Sequence, residues 1–204
     1  MAKRRSRRDT AEVDAALLVQ WIRKTKRGDL DAFQEIYNIF ARRVFNFIYR
    51  MVNSVPEAED LTQETFVTVF RKIGTLKENL KFEPWLFRIA RNYVYQRYRS
   101  RTPAMASLDQ TDESGQELGQ LTDPGKNPDE EYQSVELREV VRRVISELSP
   151  KYREVFVLSA IRNLRYEEIA EIVGRSLASV KTDIHRARLQ VRERVKGYLT
   201  GVDA

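Results

Sequence analysis

Apolar residues return every three or four positions along most of this chain. That is the spacing of one helix face, not the two-residue alternation of a strand. Phe33, Ile36, Tyr37 and Phe40 lead in this rhythm into Val44, Phe47, Ile48 and Met51. A further helix is expected from Ser54-Val55-Pro56-Glu57, with Ser54 as its cap and Glu57 reciprocating. It runs through Leu61, Phe66, Val69, Phe70 and Ile73 and ends at Gly74. Pro84 suits the opening of another helix that continues to about Ser100. Farther on, Val135–Leu148 has the helical pattern, and Ser149-Pro150 restarts the chain. The isolated Phe-Val-Leu runs fit buried helix faces better than strands, so the expected fold class is all-α.

Two periodic stretches, roughly 10–100 and 132–200, flank a segment of another kind. Residues 100–135 hold Arg101 and Lys126 against Asp109, Asp112, Glu113, Glu117, Asp123, Asp129, Glu130 and Glu131, a balance of −6. The whole chain of 204 residues has 36 Lys and Arg against 30 Asp and Glu, or +6, so the rest carries +12. Pro103, Gly115, Gly119, Pro124, Gly125 and Pro128 punctuate the acidic stretch, which shows no period. The expectation is two small helical domains on a flexible acidic linker. The divisions are a basic arm and first helix start (1–25), a first domain (26–100), the linker (101–131) and a second domain (132–200).

Composition narrows the chemistry. With no cysteine, disulfides, thiolate metal centres and cysteine nucleophiles are excluded. His185 is the one histidine, which argues against zinc hydrolases and a Ser-His pair. The 8 glycines do not cluster, so no phosphate-cradling loop is present. No apolar run approaches the ~20 residues of a membrane span, and no membrane insertion is expected. The N-terminal MAKRRSRR precedes a short apolar patch, but Asp9, Glu12 and Asp14 interrupt it and no small-residue cleavage site follows. It reads as a basic arm on a cytoplasmic protein.

The clearest local motif lies at 164–196. Tyr166–Val173 forms a short helix with Ile169, Ala170 and Val173 inward; Gly174 supplies a left-handed turn, and Ser176 caps the next helix. That helix is expected to bury Val180, Ile184, Ala187, Leu189 and Val191 and to present Lys181, Thr182, His185, Arg186, Arg188 and Arg192. Such a helix-turn-helix suits a DNA major groove, with cations for phosphates and side chains for base edges. The plainer reading is a helical hairpin with a solvated basic face. His185 fits a groove neighbour better than a metal ligand, because no second imidazole exists.

Two other constellations stand out. Residues 81–101 set six basic residues against Glu83 and interleave Phe82, Trp85, Phe87, Tyr93, Tyr95 and Tyr98. Aromatic faces with guanidinium groups suit single-stranded nucleic acid, although the period requires about half of these aromatics in the core. Glu57, Glu59, Asp60 and Glu64 crowd a helix start, with Glu57, Asp60 and Glu64 at i, i+3 and i+7. Acids at a helix N-terminus are favoured by its dipole. A docking face for a basic protein surface and a metal site for phosphoryl transfer are the competing readings.

Together these residues resemble a family, the bacterial RNA polymerase sigma factors of the extracytoplasmic-function class. Four blocks carry the resemblance: GDLDAFQEIY (28–37), AEDLTQETFVTVFRKI (58–73), FEPWLFRIARNYV (82–94) and ELSPKYREVFVLSAIRNLRYEEIAEIVGRSLASVKTDIHRAR (147–188). The resemblance implies a promoter-specificity subunit with no catalytic residue, cofactor or metal. Its partners would be core RNA polymerase, promoter DNA and an inhibitory anti-sigma factor. It assigns core-polymerase docking to Glu57, Asp60, Leu61, Gln63, Glu64 and Phe66. It assigns −10 opening and flipped-base capture to Lys77, Asn79, Lys81, Trp85, Arg88, Arg91, Asn92 and Gln96. Reading of the −35 duplex falls to Arg175, Ser176, Ser179, Lys181, Thr182, His185, Arg186 and Arg188, while the acidic linker resembles those that thread the RNA path. Four positions depart from the family pattern: Gln96 stands for a usual Asp, Arg165 for a capping Ser, Ala178 for Gly and Asp183 for a basic residue. A stand-alone helix-turn-helix regulator remains the alternative. It would explain 164–196 but neither the basic-aromatic stretch nor the acidic helix.

Overall fold

The computed structural model describes residues 15–101, 139–160 and 164–200, and every regular element among them is helical. The elements are α1 (Ala15–Thr25), α2 (Leu30–Val52), α3 (Val55–Lys72), α4 (Phe82–Arg101), α5 (residues 139–147), α6 (Pro150–Ala160), α7 (Tyr166–Val173) and α8 (Leu177–Thr200). Single 3-10 turns at Ile73–Thr75 and Asn79–Lys81 link α3 to α4. The basic arm before residue 15 and linker residues 102–131 lie outside the described residues.

Local chemistry sets the boundaries. Gly28, at φ +91°, turns the chain after α1, and the Asp29 carboxylate accepts from Ala32 N at 2.9 Å to cap α2. Asn53 closes α2 in the left-handed region at φ 55°, its N–H bonded to Tyr49 O at 2.7 Å. Two expectations need correction. Ser54 makes no side-chain cap; Pro56, in the first turn, has no N–H to be capped. Gly74 is not a left-handed stop: α3 ends at Lys72, and Gly74 lies inside the tighter 3-10 turn that follows.

The first module is held by aromatic packing between α2 and α4. Phe40 meets Phe82 edge-on at 5.4 Å and Phe47 meets Phe87 at 5.7 Å, all four rings being essentially fully buried. Ile22 of α1 closes the same core. In the second module Val155, Leu158, Ile169, Ile172, Val180, Ile184 and Ala187 are buried among α6, α7 and α8. Leu189, expected inside, is 47% exposed, while its neighbour Ala187 turns in.

The two modules are not separated. Their buried residues form one continuous apolar cluster, with α7 packed on α4 and α6 on α2. Arg153 of α6 donates to Met51 O at the end of α2 (2.9 Å) and to Leu148 O (3.0 Å). Arg142 of α5 donates to the Tyr49 hydroxyl at 3.0 Å. Removing a fully buried phenyl ring forfeits both its transfer energy and its packing. Phe87→Ala is therefore expected to lower unfolding free energy by about 3–5 kcal/mol, read as a drop in the urea midpoint at unchanged slope.

Candidate nucleic-acid and docking faces

Helix α8 is held in rotation by one buried carboxylate. Asp183 is 2% exposed and accepts from Arg175 Nη1 at 2.6 Å, lies 3.1 Å from Lys151 Nζ of α6, and receives the Ser179 hydroxyl at 3.4 Å. The acid that departs from the family's basic residue is thus a structural anchor. With Asp183, Ile184 and Ala187 inward, Lys181, Thr182, His185, Arg186, Arg188 and Arg192 all face solvent. Ser176 caps α8 by accepting from Ser179 N at 3.2 Å, and Gly174 at φ 67° makes the turn. Arg165 cannot accept the bond a serine would. Glu168 compensates by accepting from Arg165 N at 2.7 Å, which keeps half of the capping box.

Helix α4 divides into two polar stripes. Arg88, Asn92 and Gln96, spaced by four, are exposed on one, with half-buried Trp85 at its start. The other stripe, Arg91 and Tyr95, faces α6 and converges on Glu154, which is 1% exposed. Arg91 Nε bonds Glu154 Oε1 and its guanidinium lies 4.4 Å over the Tyr95 ring. Tyr95 OH donates to Glu154 Oε2 at 3.1 Å, and Arg175 Nη2 reaches the same oxygen at 3.4 Å. Burial pushes Glu154 above the usual carboxylate range, opposed by the Arg91 charge and hydrogen bond. Burial and the Glu154 carboxylate push the Tyr95 phenol up to about 12, so it remains a donor. Arg91 and Arg175, expected at the two DNA sites, therefore meet on one internal acid. Glu83, at the head of α4, is likewise raised by burial, against the opposing pull of its partner Arg43.

The acidic face of α3 is narrower than its sequence spacing suggests. Glu59, Asp60, Gln63 and Glu64 are exposed, and Val67, 46% exposed, extends the row. Leu61 and Phe66 lie in the core, where Phe66 meets Tyr37 edge-on at 4.8 Å and supports that face from beneath. Glu57 turns away, half-buried, with Arg97 at 3.7 Å. No group of three or more acidic or histidine side chains among the described residues is placed to hold a metal ion, and no described helix is long and apolar enough to cross a membrane.

The α3–α4 loop carries Lys77 and Lys81, both exposed, and a half-exposed Asn79. Lys81 Nζ also lies 3.4 Å from Glu171 of α7. Leu80, inside the same loop, is 76% exposed beside Asn79. The sequence expectations do not include Glu154, whose one signal is a lone acid preceding the apolar run Val155-Phe156-Val157-Leu158.

Residues 36–103 match the family model Sigma-70 region 2, and residues 138–191 match Sigma-70, region 4. The ECF RNA polymerase sigma factor SigW of Bacillus subtilis is 36% identical over 179 residues, which is 86% of this chain and 95% of that protein. RNA polymerase sigma factor CarQ of Myxococcus xanthus is 33% identical over 168 residues, covering 81% and 90%. Among solved structures, CnrH in complex with the cytosolic domain of CnrY superposes with a TM-score of 0.65 at 21% identity, covering 94% of this chain and 100% of that one. The chain belongs to the sigma-70 family, as a sigma factor of the extracytoplasmic-function class. It is a promoter-specificity subunit of RNA polymerase, and a stand-alone regulator would leave the region 2 match without a role.

Because Glu154 is buried between cations from both modules, its removal takes from Arg91 the carboxylate it pairs with and leaves Arg175 with Asp183 alone. Breaking such a pair costs about 3–5 kcal/mol. Glu154→Ala is expected to loosen the packing of α4 on α6 and α7, seen as a larger radius of gyration by X-ray scattering and a lower melting midpoint. An unchanged radius would show that the apolar cluster alone holds the modules together.

Proposed function

We propose that this sigma factor divides its work among three exposed faces. The face Glu59, Asp60, Gln63, Glu64 and Val67 of α3 docks on core RNA polymerase, with Leu61 and Phe66 shaping it from within. The stripe Trp85, Arg88, Asn92 and Gln96, with the loop residues Lys77, Asn79 and Lys81, takes the opened −10 strand. Flipping a base out of its stack costs a few kcal/mol, which stacking and base-edge hydrogen bonds return. The outward residues Lys181, Thr182, His185, Arg186 and Arg188 of α8, with Ser176 at its start, read the −35 duplex. The observation that carries this reading is the segregation of charge: exposed acids gather on α3, exposed cations on α8 and along α4.

The chain has no catalysis of its own in this scheme and acts in the cytoplasm, with residues 26–100 and 132–200 as its working units and 101–131 as the tether. Arg91 and Arg175 join the DNA contacts only when the Glu154 network opens, so the closed arrangement is a resting form. One similar solved structure is a sigma factor RpoE in complex with the anti-sigma factor NepR from Bartonella quintana (TM-score 0.62, 21% identity, covering 80% of this chain and 96% of that one). That likeness supports an anti-sigma partner for this chain too.

Run-off transcription with core polymerase tests the reading directly: initiation at cognate promoters should require this chain. Asp60→Ala and Glu64→Ala are expected to weaken core binding several-fold while leaving the melting curve unchanged; unaltered core affinity in both would remove that face from docking. Lys181→Ala and Arg186→Ala should weaken holoenzyme binding to −35 duplex, by about 1–3 kcal/mol where a bidentate base contact is lost and less for a phosphate contact. An unchanged −35 preference in a promoter library would reject both as readers.

A further inference from the structure

The α3–α4 loop is tied down by a residue far away in sequence. Lys26 follows α1, and its ammonium donates to Leu76 O at 2.6 Å and to Asn79 Oδ1 at 2.7 Å, bridging about fifty residues of chain. Its own backbone is fixed. Lys26 N bonds Ile22 O at 3.0 Å, Ile22 and Thr25 are buried, and the Thr25 hydroxyl donates to Trp21 O at 2.9 Å. The anchor therefore belongs to the rigid end of α1, while Asn79 and Leu80 belong to the loop it restrains.

The chemistry of the pair has a further consequence. An ammonium has three donors and no acceptor, whereas a carboxamide carries an acceptor oxygen and a donor NH2. Lys26 can therefore bond only the oxygen of Asn79, and the amide cannot turn over without losing that bond. The NH2 is left on the side away from Lys26, on a half-exposed residue next to the exposed Leu80. A side chain that reads bases by its amide would otherwise offer donor or acceptor by a simple rotation.

We propose that Lys26 is a positioning residue for promoter selection. By pinning Leu76 and the Asn79 oxygen, it fixes the amide with its NH2 turned away from Lys26 as the group left to read, selecting an unpaired −10 base that presents acceptor atoms to it. Leu80 supplies the apolar surface against which that base rests, in the manner of apolar wedges at unstacked steps. This rests on the reading of the 76–81 loop as a −10 contact and specifies the polarity of its recognition.

The test uses holoenzyme assembled from the full chain and a promoter library varied at each −10 position, read by run-off transcription. Lys26→Met should reduce discrimination between the best and worst base at one −10 position by ~10-fold, the scale of one good base contact. Core binding, −35 duplex binding and the melting midpoint should not change. Lys26→Arg, which keeps donors in place, should restore most of the discrimination. Asn79→Ala should lose it at the same position, and adding Lys26→Met to Asn79→Ala should have no further effect. Full discrimination in Lys26→Met, with loss in Asn79→Ala, overturns the role of Lys26 alone. Full discrimination in Asn79→Ala overturns the reading of the loop and the proposal with it. A uniform loss of transcription in Lys26→Met, with core binding or melting also lowered, makes Lys26 a stability residue and overturns its positioning role.

Discussion

A carboxylate taken out of water must be compensated by several well-placed donors, or its burial costs more than its attractions return. Glu154 meets that constraint with groups from both halves of the chain: Arg91 and Tyr95 from α4, and Arg175 from the turn before α8. The apolar cluster gives the two modules a reason to touch; the buried acid fixes how they touch. Non-directional burial alone permits many relative rotations of α4 and α6, whereas one carboxylate with three oriented donors permits few. The two arginines drawn into this network are also the ones the family resemblance assigns to opposite promoter elements; on the proposed reading, internal cohesion and nucleic-acid contact compete for the same side chains.

That competition has a direction set by salt and water. Arg91 and Arg175 are only partly covered, while Glu154 is almost wholly enclosed. A polyanion approaching from solvent must offer these guanidiniums what the internal acid already gives, and leave that acid another way to be satisfied. Duplex or single-stranded DNA presents many phosphates together. Displacing the internal acid then becomes a matter of local anion density, not of one superior hydrogen bond.

Much of the fold was legible because helix periodicity is a strong signal. The span Tyr166–Val173, the turn at Gly174 and the cap at Ser176 stand where the sequence places them. The misses have physical causes. Leu189 looks inward by residue type, yet at 3.6 residues per turn it falls on the side of α8 opposite Val180, Ile184 and Ala187. Asp183 stands in the sequence only as an acid where the family pattern has a basic residue, because its partners, Lys151 and Arg175, are brought near only by tertiary packing. On the acidic helix, charge alone did not distinguish Glu57, which pairs with Arg97, from the exposed Asp60 and Glu64. The packing of the modules was invisible because Val155, Ile172 and Phe87 look alike whether they serve one core or two.

The inward acid of α8 also shapes how this protein can diverge. Asp183 ties the helix to α6 and to its own entry turn, so the roll of α8 does not depend on any residue of its outer surface. The outward side chains are consequently free to be exchanged in combination without tilting the scaffold that presents them. Such a decoupled mount lets a lineage of duplicated copies acquire new target sequences by short steps, each variant keeping a folded intermediate.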